Sequence, residues 1–340
     1  MAANRPHLPL VFVHPQGIDA PSGGNVYDRE LTRALAELVP VTIMPFSEAK
    51  GALDGGRAGA FFFDTLELEL TRSLGSTTPD QLLGLIVHHL PSLEPHVAFG
   101  STALERENAT LSRFDRLVAT SDFTRELLVS RGLSERAILT VPPALPNIAN
   151  APRAYRAPLS VLLVANVIPR KGVLDLLEAL AANAPPSMRF FLHIAGRLDM
   201  DPDYVARCQR VLASSASLRE SVHLDGPISY ERMGTLYDEA HLLVSASAME
   251  TFGMAIHEAR AHGLPVLALD AGYVRAHFAH GENGLLCSSS PELATALVEL
   301  ARDDDRMAAL FSRAQAKNPS GYSWPDAAQR FVAELARTGD

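Results

Sequence analysis

The sequence predicts an α/β protein built from two doubly wound, parallel-sheet domains. Three observations carry this. The chain has 340 residues, and a single hydrophobic core seldom grows beyond ~250–300 residues. Short apolar runs alternate with longer segments of helical period. The alternation stops once, at a proline-rich stretch near the middle, and then restarts.

In the first half, strands are predicted at Leu8–His14, Val39–Met44, Gly59–Asp64, Gly84–His89, Arg116–Thr120 and Ala137–Val141. Helices fall between them at Asn25–Leu38, Leu104–Ser112 and Asp122–Arg131. Val26, Leu31, Leu35 and Leu38 recur near one face of the first helix. The segment Pro142–Pro158 carries five prolines and no period, the pattern of a linker.

In the second half, strands are predicted at Leu159–Ala165, Arg189–Ala195, Val222–Asp225, Leu242–Ser245 and Pro265–Leu269. The intervening helices are Val173–Ala182, Tyr204–Ser214, Ser229–Ala240, Met254–His262 and Pro291–Asp303. Strand–helix alternation twice over implies two parallel sheets, each covered by helices on both faces. The predicted division is residues 1–147, a linker at 148–158, and residues 159–323, with 324–340 packing back on the first domain.

Composition narrows the function. Apolar residues make up 47% and charged residues 20%, and the formal charge is −9. Neither half is basic, which argues against a nucleic-acid partner. Cys208 and Cys287 are the only cysteines, too few for a disulfide framework, so they read as structural thiols in a reducing compartment. The opening residues lack the charged start, long apolar run and cleavage site of a signal peptide. No run reaches the ~18–20 apolar residues of a membrane span. The expectation is a cytoplasmic protein without a transmembrane segment, with peripheral membrane contact left open.

In open parallel sheets, ligands bind beyond the carboxyl ends of the strands, and the chemistry-bearing motifs all follow strands. Glu250 and Glu258 are separated by seven residues, beginning with Thr251–Phe252–Gly253, after a strand closed by Ser245 and Ser247 and before Gly263–Leu264–Pro265–Val266. Thr251–Met254 opens a helix, where free N–H groups and the dipole favour a phosphate. Gly253 permits close backbone approach. Upstream, Val164–Gly172 (VANVIPRKG) presents Lys171 and Arg170 in a loop after the first strand of the second domain. In the first half, Gly23 and Gly24 precede the first helix, and His88 and His89 end a strand.

These motifs resemble the retaining family 4 glycosyltransferases of GT-B fold. The resemblance is specific over Leu159–Leu286 and diffuse elsewhere. It implies two Rossmann-like domains facing across a cleft, with the nucleotide-sugar donor held by the second. Glu258 would accept hydrogen bonds from the ribose, Glu250 would hold donor-sugar hydroxyls, and Lys171 would neutralise the diphosphate. Thr251, Phe252, Gly253 and Met254 would cradle the phosphate. Gly23 and Gly24 would turn their amides to the donor phosphate and the acceptor. Either His88 or His89 would meet the transferred sugar, Ser121 would sit in a loop at the cleft, and Trp324 would anchor the last helix. The chain departs from the pattern at Asn166, where an arginine is usual and for which Arg170 is a candidate substitute. It departs again at Asn25, and at Tyr273 beside Gly272, where two glycines are common.

The implied reaction moves a sugar, hexosyltransferase-like, from a nucleotide-diphosphate sugar to an acceptor hydroxyl with retention. The leaving phosphate takes the acceptor's proton, and neither metal nor cofactor is expected. Asp199–Met200–Asp201 resembles a metal-binding D-x-D but reads as a polar loop, and the histidines and cysteines lack zinc spacing. No phosphate loop of the ATPase type is present. The acceptor is left open among a small metabolite, a glycan and a lipid-linked sugar. The alternatives are a non-catalytic nucleotide-sugar-binding subunit and a GT-B epimerase or hydrolase.

Overall fold

The computed structural model describes residues 8–15, 18, 22–95, 98–145, 148, 153–182, 188–317 and 321–337. They divide into two compact units, one within Met1–Pro146 and Tyr322–Asp340, the other within Asn147–Gly321.

Unit 1 contains strands β1 (Leu10–Val13), β2 (Val41–Met44), β3 (Gly59–Asp64), β4 (Gln81–Val87), β5 (Arg116–Ala119) and β6 (Ile138–Thr140). They form one parallel sheet in the order β2-β1-β3-β4-β5-β6. Helices α1 (Gly23–Ala36), α2 (Phe46–Asp54), α3 (Leu68–Thr71), α4 (Ser101–Leu111) and α5 (Asp122–Ser130) connect them. The sheet is buried on both faces, which is why its strands read as unbroken apolar runs. Phe61 and Phe63 join Val11, Val13, Leu83 and Leu85 in one core. Phe62, on the opposite face, joins Leu10, Phe12, Ala60 and Ile86 in another.

Unit 2 contains β7 (Leu159–Val164), β8 (Phe190–Ala195), β9 (Val222–Gly226), β10 (Leu242–Ser245), β11 (Val266–Leu269) and β12 (Gly284–Cys287). Its helices are α6 (Val173–Ala182), α7 (Pro202–Ser214), α8 (Ala216–Ser221), α9 (Tyr230–Glu239), α10 (Met254–Ala261), α11 (Ser290–Arg302) and α12 (Asp304–Ala316). The sheet is parallel, in the order β12-β11-β10-β7-β8-β9. Strand order therefore reverses between β7 and β10, and the loops leaving these two neighbours make the crevice where such sheets bind ligands. The corresponding reversal in unit 1 lies between β1 and β3.

The final helix, α13 (Trp324–Arg337), belongs to unit 1. Its Ala327, Ala328 and Phe331 are fully buried with Phe12, Tyr27, Leu31 and Phe62. The Phe331 ring lies 5.0 Å from that of Phe62 and 5.7 Å from that of Phe12. Trp324 packs edge-on against Tyr27 at 5.7 Å.

Several elements differ from the sequence expectation. The glycine pair lies inside the first turn of α1 and not in a loop before it, because Ser22 caps the helix by accepting from the Asn25 amide at 3.1 Å. Strand β4 stops at Val87, so His88 and His89 stand just past its carboxyl end. Helices α2, α3, α8 and α12 and strand β12 were not anticipated. Ser121 is the N-cap of α5, its hydroxyl accepting from the Thr124 amide at 3.1 Å, and it is 1% exposed. Asp201 caps α7, and Asp199 pairs through both carboxylate oxygens with Arg197 at 2.9 Å. Both thiols are buried and unpaired with each other, and burial pushes each up to about 11. Parts of the Pro142–Pro158 segment, residues 146, 147 and 149–152, lie outside the described residues. Among the described residues no helix is long and apolar enough to cross a membrane.

Candidate active-site groups

In unit 2 the loops after β7 and β10 are stitched together. The Ala248 amide donates to the Arg170 carbonyl at 2.9 Å, and Arg170 Nη1 donates to the Met249 carbonyl at 3.4 Å. Gly172 turns the first loop into α6 with φ of +64°, and a Cβ there would lie 2.0 Å from the Ala246 carbonyl oxygen. Only glycine satisfies both demands.

This bracing brings Lys171 and Glu250 together. Lys171 Nζ donates to Glu250 Oε1 at 2.5 Å, with side chains 19% and 12% exposed. Burial alone would raise the Glu250 carboxyl. The Lys171 charge foremost, then Arg170 and hydrogen bonds from Lys171 and Ser247, holds it below the usual carboxylate range. Two cations thus converge on one carboxylate at the switch point of the sheet. Asn166 is committed elsewhere: its Oδ1 accepts from the Arg197 amide at 3.1 Å, tying the loops after β7 and β8. Where the family pattern has a charged arginine, this chain has a structural amide.

The Glu250 carbonyl is fixed as well, accepting from the Tyr273 amide at 2.8 Å. Phe252 stacks on Tyr273 with ring centroids 5.7 Å apart and planes 22° apart. His277 Nε2 lies 2.5 Å from the Phe252 carbonyl oxygen. Gly253, at φ of +95°, is the N-cap of α10, and no side chain caps that helix. Its first amides are the unsatisfied donors every helix start presents, and the dipole adds positive potential. The arrangement suits an anion.

Glu258 lies one turn into α10, half-buried. Tyr237 of α9, 2% exposed, donates its hydroxyl to Glu258 Oε2 at 2.8 Å. Burial raises the Glu258 carboxyl to about 7 against the lowering effect of this bond. As pH rises through about 7, the carboxylate that can accept two ligand hydroxyls becomes the dominant form. Tyr237→Phe removes a donor to that anion and moves the midpoint upward. For the nucleotide-sugar donor that the family resemblance implies, the expected result is a KM raised ~5–12-fold at pH 7, as for loss of a hydrogen bond of ~1–1.5 kcal/mol, and recovering at higher pH. A pH series of KM for both proteins checks it, and an unshifted profile removes Tyr237 from the site.

In unit 1, His88 is nested against the start of α1. Its Cδ2 would lie 3.2 Å from a Cβ placed on Gly24, a contact tight enough that an added methyl would push the ring back by a few tenths of an ångström. His88 Nε2 is 3.0 Å from Asp28 Oδ1 and 3.7 Å from Asp64 Oδ2. The His88 amide donates to Thr65 Oγ1 at 3.1 Å. His89 turns away, with Nε2 3.0 Å from Glu94 Oε1. Of the two histidines, His88 is the one beside the glycine pair.

Three side chains in these clusters were not singled out from the sequence. Tyr237 lies inside the predicted helix Ser229–Ala240 with no motif around it to mark it. Asp28 and Asp64 did leave a signal: Asp64 closes an otherwise apolar strand, GAFFFD, and both carboxyls are 1% exposed.

The two six-stranded parallel sheets, each wound with helices, are those of a GT-B fold. Residues 147–317 match the model of the glycosyl transferases group 1 family, and the chain belongs to that family. It is 33% identical over 196 residues to a D-inositol 3-phosphate glycosyltransferase of Corynebacterium urealyticum, covering 56% of this chain and 46% of that protein. It is 28% identical over 299 residues to D-inositol 3-phosphate glycosyltransferase 1 of Catenulispora acidiphila, covering 82% of this chain and 69% of that one. The first of these matches therefore spans less than half of its relative. Among solved structures, Anabaena Alr3699/HepE in complex with UDP and glucose superposes with a TM-score of 0.73 at 20% identity, covering 97% of this chain and all of that one. Sucrose-phosphate synthase from Thermosynechococcus elongatus gives 0.71 at 20% identity, covering 97% and 98%.

Proposed function

We propose that this chain is a retaining glycosyltransferase that moves a sugar from a nucleotide-diphosphate sugar to an acceptor hydroxyl without a metal ion. The observation that carries the reading is the Lys171–Glu250 ion pair at the switch point of unit 2, beside Arg170. Donor binding gives Lys171 a diphosphate to neutralise, and the uncapped start of α10 adds its amides. Glu250, ionised and fixed through its own backbone, accepts from the donor sugar's hydroxyls. Glu258 accepts from the ribose. As the glycosidic bond to the diphosphate breaks, charge grows on the leaving phosphate, and these groups stabilise it without reorganising. The same phosphate oxygen takes the acceptor's proton. In unit 1, the Gly23–Gly24 turn and His88 are offered to the acceptor and the transferred sugar. The family resemblance and the relatives named as glycosyltransferases support the reading. The cytoplasm is its proposed location, and a soluble acceptor its proposed partner.

Calorimetric titration with nucleotide sugars in EDTA, starting with UDP-glucose, tests it. Tight binding of one donor with EDTA present is the expected result. Binding that appears only when a divalent cation is restored removes the metal-free mechanism. No binding at millimolar donor overturns the reading, whereas donor binding with no turnover on any acceptor favours a non-catalytic nucleotide-sugar-binding subunit, the alternative that Asn166 keeps open.

A further inference from the structure

The buried cluster behind the glycine pair contains more than His88. Asp28, in the second turn of α1, and Asp64, at the carboxyl end of β3, each turn a carboxyl toward the ring and toward each other. One ligand atom from each of the three groups lies within 4.8 Å of the other two. Asp28 Oδ2 and Asp64 Oδ2 have no conventional donor, although both residues are 1% exposed. Two carboxylate oxygens brought together out of water repel strongly unless a proton lies between them. A proton there makes one oxygen a donor and satisfies both orphaned atoms.

We propose that Asp28 and Asp64 are a positioning pair, sharing one proton, that holds His88 as a fixed imidazolium beside the first turn of α1. Asp28 is the charged member, hydrogen-bonded to His88 Nε2 at 3.0 Å. Asp64, farther from the ring at 3.7 Å, is the protonated member. The protonation preferences agree with this division. Burial, then the Asp28 charge, holds the Asp64 carboxyl well above the carboxylate range. Burial would raise Asp28 too, but His88 outweighs it and keeps Asp28 low. Burial disfavours the charged imidazole, yet the one negative charge of the pair, on Asp28 foremost with its hydrogen bond and to a lesser share on Asp64, pushes it up to about 9. Other polar and charged neighbours include His14 at the end of β1, 3.5 Å from Thr32 Oγ1, then Arg29, the Leu66 amide donating to Asp64 Oδ1 at 2.7 Å, and the edge of Tyr27 at 5.2 Å from the His88 ring. Burial keeps His14 low, so it adds little positive charge at neutral pH.

The consequence, which rests on the function proposed above, concerns the reaction. An imidazolium has no lone pair, so His88 cannot accept the acceptor's proton. It can only donate a hydrogen bond and present positive charge, which leaves proton acceptance to the leaving phosphate.

The test reads the ring directly and needs neither donor nor acceptor, so its failure is separable from failure of the functional reading. In the unliganded protein, imidazole 15N resonances of His88, assigned by loss in His88→Gln, are followed from pH 6 to 10. Both ring nitrogens should stay protonated through neutrality, with the titration at about 9. Asp28→Asn should move that titration down by ~1–3 pH units. Asp64→Asn, which replaces a protonated carboxyl by a near-isostere, should leave His88 charged at pH 7. Infrared spectra should show a protonated-carboxyl band at neutral pH that Asp64→Asn abolishes. A wild-type His88 that is neutral at pH 7 overturns the proposal without recourse to any variant. Equal effects of the two aspartate substitutions also overturn it. So does paramagnetic broadening of His88 by stoichiometric Mn2+ that EDTA reverses, which would make the cluster a cation site in place of a proton-sharing pair.

Discussion

Lys171→Ala should lower turnover with a nucleotide-sugar donor by about 10²–10³-fold, the loss that follows removal of one preorganised group facing developing negative charge. The wild-type lysine is already aimed, because its loop is bonded to the next one through Arg170 and Ala248. Its ammonium is held by Glu250, so in the proposed reaction it needs no reorganisation as the diphosphate leaves. Arg170 approaches the same carboxylate and should leave a residual rate above the uncatalysed one. Lys171→Arg, which keeps charge but not shape, should fall between the two. Glu250 loses its partner in the alanine variant, so some stability is lost too. The ion pair is partly open to solvent, and that loss should be modest, ~1 kcal/mol. Parallel measurements of kcat and urea unfolding separate the effects. Turnover unchanged by Lys171→Ala removes the residue from the mechanism.

Gly172→Ala should destabilise unit 2 by more than ~2 kcal/mol. The left-handed backbone alone costs an alanine ~1–2 kcal/mol. The new methyl would also stand 2.0 Å from the Ala246 carbonyl oxygen, and since that neighbour is backbone, it cannot rotate away. Relief requires parting the loops after β7 and β10, which breaks the Ala248–Arg170 hydrogen bond and moves Lys171 from Glu250. The control is Gly281→Ala in the same unit. Gly281 has φ of +80° with no atom within 4 Å of an added Cβ, so it should lose the backbone component alone. Urea midpoints for both variants decide the matter: equal losses would mean that the close approach at Gly172 has no energetic weight.

The alternation of apolar runs and helical period was enough to read the two-sheet architecture, because strands covered on both faces leave no polar residues to break the pattern. Gly59–Asp64 is the clearest example. Elements that escaped did so for local reasons. Strand β12 is four residues long and begins with glycine. Helix α2 has Gly51 in its interior, and α12 follows α11 across the single residue Asp303, although Met307, Leu310, Phe311 and Ala314 have helical spacing. The residues proposed to face the donor in unit 2 could be picked out together because they lie close together in sequence, within two loops that resemble a known family. The cluster around His88 was not. Asp28, Asp64 and His88 come from three separate elements, and only the pairing of β1 with β3 and of β3 with β4 brings them together. The choice between His88 and His89 likewise depends on where β4 ends, and a one-residue difference there reverses which ring faces Gly24.

The placement of Phe331 has a consequence for synthesis. Unit 2 is continuous in sequence and can close its core as soon as its last strand and helices emerge from the ribosome. Unit 1 cannot, because the aromatic face made by Phe12, Tyr27 and Phe62 is covered by α13, which is translated after all of unit 2. At ~5–20 residues per second, the chain from Leu145 to Phe331 takes roughly 10–40 seconds to appear. For that interval the first-made sheet waits with one oily face uncovered, and chaperone capture during translation should concentrate there.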